Sequence, residues 1–162
     1  GQRISTTMVY RNLTFDPGLD DSQFEFDPPA NVTIVESDGP SVTAYGSAAA
    51  ARANTTLPVP DPEIPPTFTF DTAQVISGNF SSVSLQYSNE TAALTLSVTH
   101  AANTTTNQTG QRLTVDGRDV SYRQFGTSHA VSWQCGDYRY SVSGTAVGKD
   151  RLLDIAASIE CS

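Results

Sequence analysis

Apolar and polar residues alternate along most of this chain. Thr, Val, Ser and Tyr recur in the alternating stretches, a pattern suited to half-buried strands. Residues 4–10 and 12–15 predict a pair of short strands. A turn follows at Asp16-Pro17-Gly18, where proline fixes one dihedral and glycine admits the next. Phe24 and Phe26 alternate up to Pro28-Pro29, which cannot continue a ladder, and residues 31–36 resume as a strand. Seven further strands are predicted over residues 68–76, 80–87, 94–99, 112–115, 120–125, 130–135 and 138–143. Asn89-Glu90, Asp116-Gly117-Arg118-Asp119 and Gly136-Asp137 supply hairpin turns between them. Sequential hairpins predict an antiparallel meander, with the polar residues 101–110 as a surface loop.

The period changes in two places. Residues 47–52 are rich in alanine and predict a turn or two of helix. Over residues 149–160, Leu152, Leu153, Ile155, Ala156 and Ile159 fall on one helical face. An amphipathic helix beside a meander packs against one sheet face, so the expected class is α+β, mainly β, with one C-terminal helix on an antiparallel sheet. Between these regions lie Pro58, Pro60, Pro62, Pro65 and Pro66, the composition of a stiff polyproline II spacer. This places a domain boundary, with a β segment at 1–57, a Pro-rich linker at 58–66, and the sheet and helix at 67–162.

Charge and composition add location rather than chemistry. Nine basic residues stand against 17 acidic ones, a net charge of −8 over 162 residues. Nucleic acid is excluded as an expected partner, because its phosphates need a basic footprint. Lys149 is the sole lysine. Scarce lysine with abundant Asp, Thr and Ala fits a halophilic archaeal protein, whose carboxylates hold water while strong salt screens their repulsion. Seven N-glycosylation sequons, at Asn12, Asn31, Asn54, Asn79, Asn89, Asn103 and Asn107, predict a glycoprotein that is extracellular or at the cell surface. No apolar run reaches membrane-spanning length and no signal peptide is recognisable. Residue 1 follows no initiator Met, so the expectation is a processed mature chain or a fragment of a longer one.

Candidate chemistry is sparse. Cys135 and Cys161 can pair in an oxidising exterior, closing a loop of about 26 residues. Such a bridge is worth about 3.5 kcal/mol on the chain-entropy model, and two buried thiols are the alternative. His100 and His129 are the only imidazoles and no Cys-x-x-Cys occurs, so no metal or cofactor is expected. Ser128 and His129 adjoin, but strand alternation sends their side chains to opposite faces, and no nucleophile elbow is present. Asp16, Asp20 and Asp21 crowd one turn, where a solvated turn competes with calcium; Asp116 and Asp119 read as hairpin residues. Tyr87, Tyr122, Phe125, Trp133, Tyr138 and Tyr140 are either core or, on an uncovered sheet face, the lining of an apolar groove.

Two segments resemble known families. Residues 10–35, with Asp16-Pro17-Gly18, Phe24, Phe26, Pro28-Pro29 and the closing strand, resemble the C-terminal end of LolA-like lipoprotein-carrier proteins. Residues 58–159 are similar to DUF4367, a domain that follows LolA-like domains in haloarchaeal secreted proteins. The matching residues there are 60–65, 83–87, 133–140 and Leu152-Leu153-Asp154-Ile155-Ala156. The resemblance implies a curved half-barrel sheet that holds acyl chains, of which residues 10–35 match the C-terminal end.

The expected function is a non-enzymatic extracellular cell-surface binding module, LolA/DUF4367-like, for apolar or lipid ligands. The alternative is a glycosylated structural subunit of an extracellular archaeal filament or surface layer. Its assembly would be by strand exchange through Ile4, Thr6, Met8 and Tyr10, with pairing inside the chain as the competing fate of that segment. A hydrolase is a third reading, for which no residue set can be named.

Overall fold

Eight strands, all antiparallel, form one sheet in the computed structural model, which describes Val9, Arg11 and residues 39–103 and 110–161. The chain divides into two compact units, Gly1–Ser37 and Asp38–Ser162. Apart from Val9, the strands predicted at 4–10, 12–15 and 31–36, and the Asp16 turn, lie outside the described residues. The second unit carries β1 (Ser41–Tyr45), β2 (Thr69–Ser77), β3 (Ser82–Ser88), β4 (Ala93–His100), β5 (Gln111–Val115), β6 (Arg118–Phe125), β7 (Ser128–Cys135) and β8 (Tyr138–Thr145). Among the described residues two α-helices accompany them, α1 (Ala48–Arg52) and α2 (Lys149–Ser158), with a short 3-10 helix at Ala101–Asn103. The alternating pattern thus finds seven strands and the C-terminal helix within a few residues of their ends.

The strand order is β1-β2-β3-β4-β8-β7-β6-β5. Each hairpin pairs with its sequence neighbour, but the chain leaves β4 for the far edge and returns strand by strand until β8 closes on β4. A simple meander would have put β5 beside β4. The loop that carries this crossing includes residues 101–110, whose polarity suits a surface path. Tight turns are set where glycine or a small acidic residue takes positive φ: Asp116 at 49° and Gly117 at 74° make the β5–β6 turn.

One face of the sheet is apolar and covered. Ala73, Val75, Val83, Leu85, Leu94, Leu96, Val98, Val131, Trp133, Tyr140 and Val142 are buried on it. Helix α2 lays Leu152, Ile155 and Ala156 against β7 and β8, with Ile159 just beyond its end. A fully buried Leu or Ile is worth about 1.5–3 kcal/mol relative to leaving it exposed, so this face alone can hold a ten-residue helix. Gly144 permits the turn from β8 into α2, since a Cβ there would lie 2.7 Å from Val147 Cβ.

The Pro-rich segment is a strap of the same compact unit, not a linker between domains. Leu57, Val59 and Pro60 are buried, and Glu63 N–H donates to Ser158 Oγ at 3.0 Å. Helix α1 anchors its start, with Ser47 Oγ accepting from Ala50 N–H and Arg52 donating to Val59 O at 3.2 Å. Polyproline geometry leaves carbonyls and side chains free to pack, and here they pack on the sheet and helix. The break between compact units falls earlier, after Ser37.

Candidate functional site

Alternation that sends apolar residues to the covered face sends hydroxyls to the other. One register row crosses the sheet as Gln74, Ser84, Ser97, Ser141, Ser132, Ser121 and Arg112. Five successive strands thus place a serine in line at the inter-strand spacing of about 4.8 Å. Ser97 and Ser141 share a hydrogen bond of 2.8 Å at the centre of the row. The flanking rows add Thr95 and Ser143 on one side and Ser82, Thr99 and Arg139 on the other. Among the described residues, the buried side chains of α1 and α2, Ala51, Leu152, Ile155 and Ala156, belong to the core on the opposite face.

The face is not uniform. Over β4 and β6–β8 a hollow of about 400 Å³ opens, floored by Ser97, Ser121, Ser132 and Ser141 and flanked by Arg123, Arg139 and Phe125. Phe125 is 65% exposed, one of few large hydrophobics left in water. Ser121 is 3% exposed, and its Oγ has no hydrogen-bond partner among the described residues. Gly110 sits close beside it: a Cβ there would come within 2.6 Å of Ser121 Oγ and 3.0 Å of Arg123 Cγ. The Gly110 backbone is therefore packed close against Ser121, with no room for a side chain. The charge is concentrated too: Arg112, Arg123 and Arg139 lie on this face of β5–β8, against Asp119 as its one carboxylate.

On the covered face a second polar group collects near the start of α2. Tyr122 OH and His129 Nδ1 are 2.6 Å apart, Lys149 Nζ stands 4.8 Å from the Tyr122 ring centre, and Lys149 donates to Gln111 Oε1 at 3.2 Å. Ser128, on the opposite face, bonds Thr145 Oγ1 at 3.0 Å, so Ser128 and His129 are separated as alternation requires. The His100 and Tyr138 rings lie with centroids 4.9 Å apart and planes tilted by 37°. Burial, with the Asp61 carboxylate adding to it, raises the Tyr87 hydroxyl above the ordinary tyrosine range. Among the described residues no three His, Cys, Asp or Glu side chains are grouped as metal ligands.

The aromatics divide by parity. Tyr87, Tyr122, Trp133, Tyr138 and Tyr140 share the covered face with the aliphatic core, and Trp133 stacks on Tyr140 at 5.6 Å. Phe125 alone of the six lies on the uncovered face. An aromatic groove on that face is thus replaced by hydroxyls and arginines. Sequence reasoning missed Ser121, Arg123 and Arg139 as a group, although their positions on alternate strand sites held the signal.

Arg118 was also hidden, as a turn residue. Its guanidinium donates to the carbonyls of Ile159 at 2.7 Å, Ala156 at 3.1 Å and Ala157 at 3.2 Å, and lies 5.8 Å from the Trp133 ring centre. It caps the C-terminal end of α2, whose last turn has no basic residue of its own.

Cys135 and Cys161 form a disulfide, joining the end of β7 to the residue pair beyond the helix end, with 5.4 Å between Cα atoms. Of the sequons, Asn54 and Asn79 are exposed, and Asn89 holds the β3–β4 turn, its Oδ1 accepting from Thr91 and Ala92 N–H at 3.0 and 2.8 Å. The Asn103 side chain and Asn12, Asn31 and Asn107 lie outside the described residues, as do Ile4, Thr6, Met8 and Tyr10. Among the described residues no helix is long and apolar enough to cross a membrane. Searches of protein-family models, of curated proteins and of solved structures found no match to this chain.

Proposed function

We propose that this chain is a non-enzymatic binding module that works outside the cell, with the uncovered face of its sheet as the ligand surface. The observation that carries this reading is the serine row with its flanking threonines and arginines. It is a broad, regular, half-buried surface whose hydroxyls can both donate and accept. A disulfide and several sequons on turns and loops fit an oxidising, glycosylating exterior. The polarity of the face favours a hydrophilic ligand over the lipid that a LolA-like resemblance implies. The test is a panel of saccharides and lipid vesicles offered to the full chain and to a Ser132→Phe variant, which fills the middle of the row. Saturable binding lost in that variant supports the reading; binding that Ser132→Phe leaves intact refutes it.

A second reading, a glycosylated structural subunit, rests on the sheet edges. Among the described residues β1 and β5 each have a strand partner on one side only, and Val42 of β1 is 60% exposed. Electron microscopy of the glycosylated chain in strong salt tests it. Ordered filaments lost on Val42→Lys would support strand addition at β1, and dispersed particles would reject it.

A further inference from the structure

We infer that the arginine-flanked hollow on the uncovered face takes an acidic oligosaccharide, a run of sugar rings bearing carboxylates. The inference rests on the reading of that face as the binding surface and names the class of ligand.

Charge is the first argument. The whole chain carries −8, yet on this face β5–β8 set Arg112, Arg123 and Arg139 against Asp119, and of the three Arg139 is already engaged by another contact. Guanidinium groups recognise carboxylates through paired N–H donors, and Arg123 stands over the rim of the hollow. The floor is the second. Serine hydroxyls at successive strands donate and accept alike, which matches the hydroxyls of a sugar. A phosphate or sulfate alone would call only for donors. The third is the unmet hydroxyl. Ser121 Oγ is buried without a partner in the lining of the hollow, and an unsatisfied buried polar group costs about 1–3 kcal/mol until something bonds it. Phe125, exposed at the rim, offers an apolar plane to the C–H face of a sugar ring.

The hollow is wide and open, so it suits one stretch of an extended polymer rather than an engulfed small molecule. A membrane surface would supply anionic headgroups as well, but it has no use for a hydroxyl floor lying below the arginines.

The test uses the full chain and three probes: a tetrasaccharide of glucuronic acid, a neutral tetrasaccharide of the same linkage, and phosphatidylglycerol vesicles. Titration calorimetry gives affinity, and amide NMR shifts locate the contact. The acidic tetrasaccharide should bind at least about tenfold more tightly than the neutral one, and more weakly as salt rises. Arg123→Gln should cost about tenfold, while Arg151→Gln on the helix side changes nothing. Ser121→Ala should weaken binding without lowering stability, a pattern that a purely structural serine would not give. Equal binding of the neutral sugar, indifferent to Arg123→Gln, overturns the acidic preference and leaves the binding face standing. Vesicle binding with no uronate binding overturns it in favour of a membrane. If no probe shifts the signals of β4 or β6–β8 in a folded chain, the inference and the binding-face reading fall together.

Discussion

Arg118 ties the far end of α2 to the sheet, and its removal measures how much of the helix depends on one side chain. Three guanidinium donors reach carbonyls of Ala156, Ala157 and Ile159. Hydrogen bonds to a charged group are worth about 1.5–3 kcal/mol each when well shielded. Here the three share one half-buried cation, and the carbonyls of Ala157 and Ile159 can turn to water when it is lost. A discounted total of about 2 kcal/mol follows, including the favourable placement of a cation at a helix C-terminus. The approach of Arg118 to Trp133 adds about 0.5 kcal/mol. Arg118→Met keeps the aliphatic stem and deletes the charge, so it isolates these contributions. Urea unfolding followed by tryptophan fluorescence is the assay, because Trp133 is the only tryptophan and lies beneath the guanidinium. The unfolding free energy should fall by about 2–3 kcal/mol, read as a lower midpoint with the slope unchanged. The Cys135–Cys161 bridge holds the same end of the helix, so the loss should be larger once that bridge is gone, with coupling above about 0.5 kcal/mol. A loss below about 0.5 kcal/mol would mean that water serves these carbonyls as well as arginine does, and the capping argument would be wrong.

Further outcomes are expected elsewhere. Replacing both Cys135 and Cys161 with alanine should cost about 3.5 kcal/mol in denaturant unfolding, from the freed loop of 26 residues. Gly144→Ala should destabilise by about 1–3 kcal/mol, because the new methyl meets Val147 and Leu94, and a thermal melt reads the loss. Asn89→Ala, compared with the parent in unglycosylated protein, should cost about 1–2 kcal/mol by removing the acceptor that closes the β3–β4 turn. The Tyr87 hydroxyl is raised in the folded chain, so its contribution is complete below the ordinary tyrosine value of about 10 and is lost as pH rises through the folded value. Tyr87→Phe should flatten that part of the alkaline stability profile.

Much of this architecture was legible because strand alternation is a local signal. Val83, Leu85 and Tyr87 announce one face of β3, and Leu152, Ile155 and Ile159 announce the face of α2. The strand β1 escaped because four of its five side chains are exposed, so no contrast between faces marks it. The crossing from β4 to β5 escaped because hairpin turns report neighbours, while the β4–β8 pairing is decided by burial of the whole sheet. The strap was misjudged for a related reason: proline spacing describes backbone shape and is silent on whether Val59 and Pro60 find a surface. In the candidate site the residues were visible as alternate positions, but which serines line up depends on register between strands. Arg118 reads as a turn residue until the helix end it caps is placed beside it.

The strand order has a consequence for how the sheet is built. A half-turn about the Ser97–Ser141 pair carries the central rows of β1–β4 onto those of β5–β8, while the irregularity between Phe70 and Thr72 in β2 has no counterpart in β6. The sequence echoes the rotation: Val83-Ser84-Leu85-Gln86 falls on Val131-Ser132-Trp133-Gln134, and Ser97-Val98-Thr99 on Ser141-Val142-Ser143. The sheet is thus two equivalent four-stranded halves fused through their last strands, each half's inner edge sealed by the other. The halves have diverged in chemistry, since the places of Arg123 and Arg139 are held in the first half by Ile76 and Thr95. Within each half the hairpins are local, whereas the seam joins serines 44 residues apart. Closing that seam is the costly step of assembly, and it completes a serine row and a hollow to which both halves contribute.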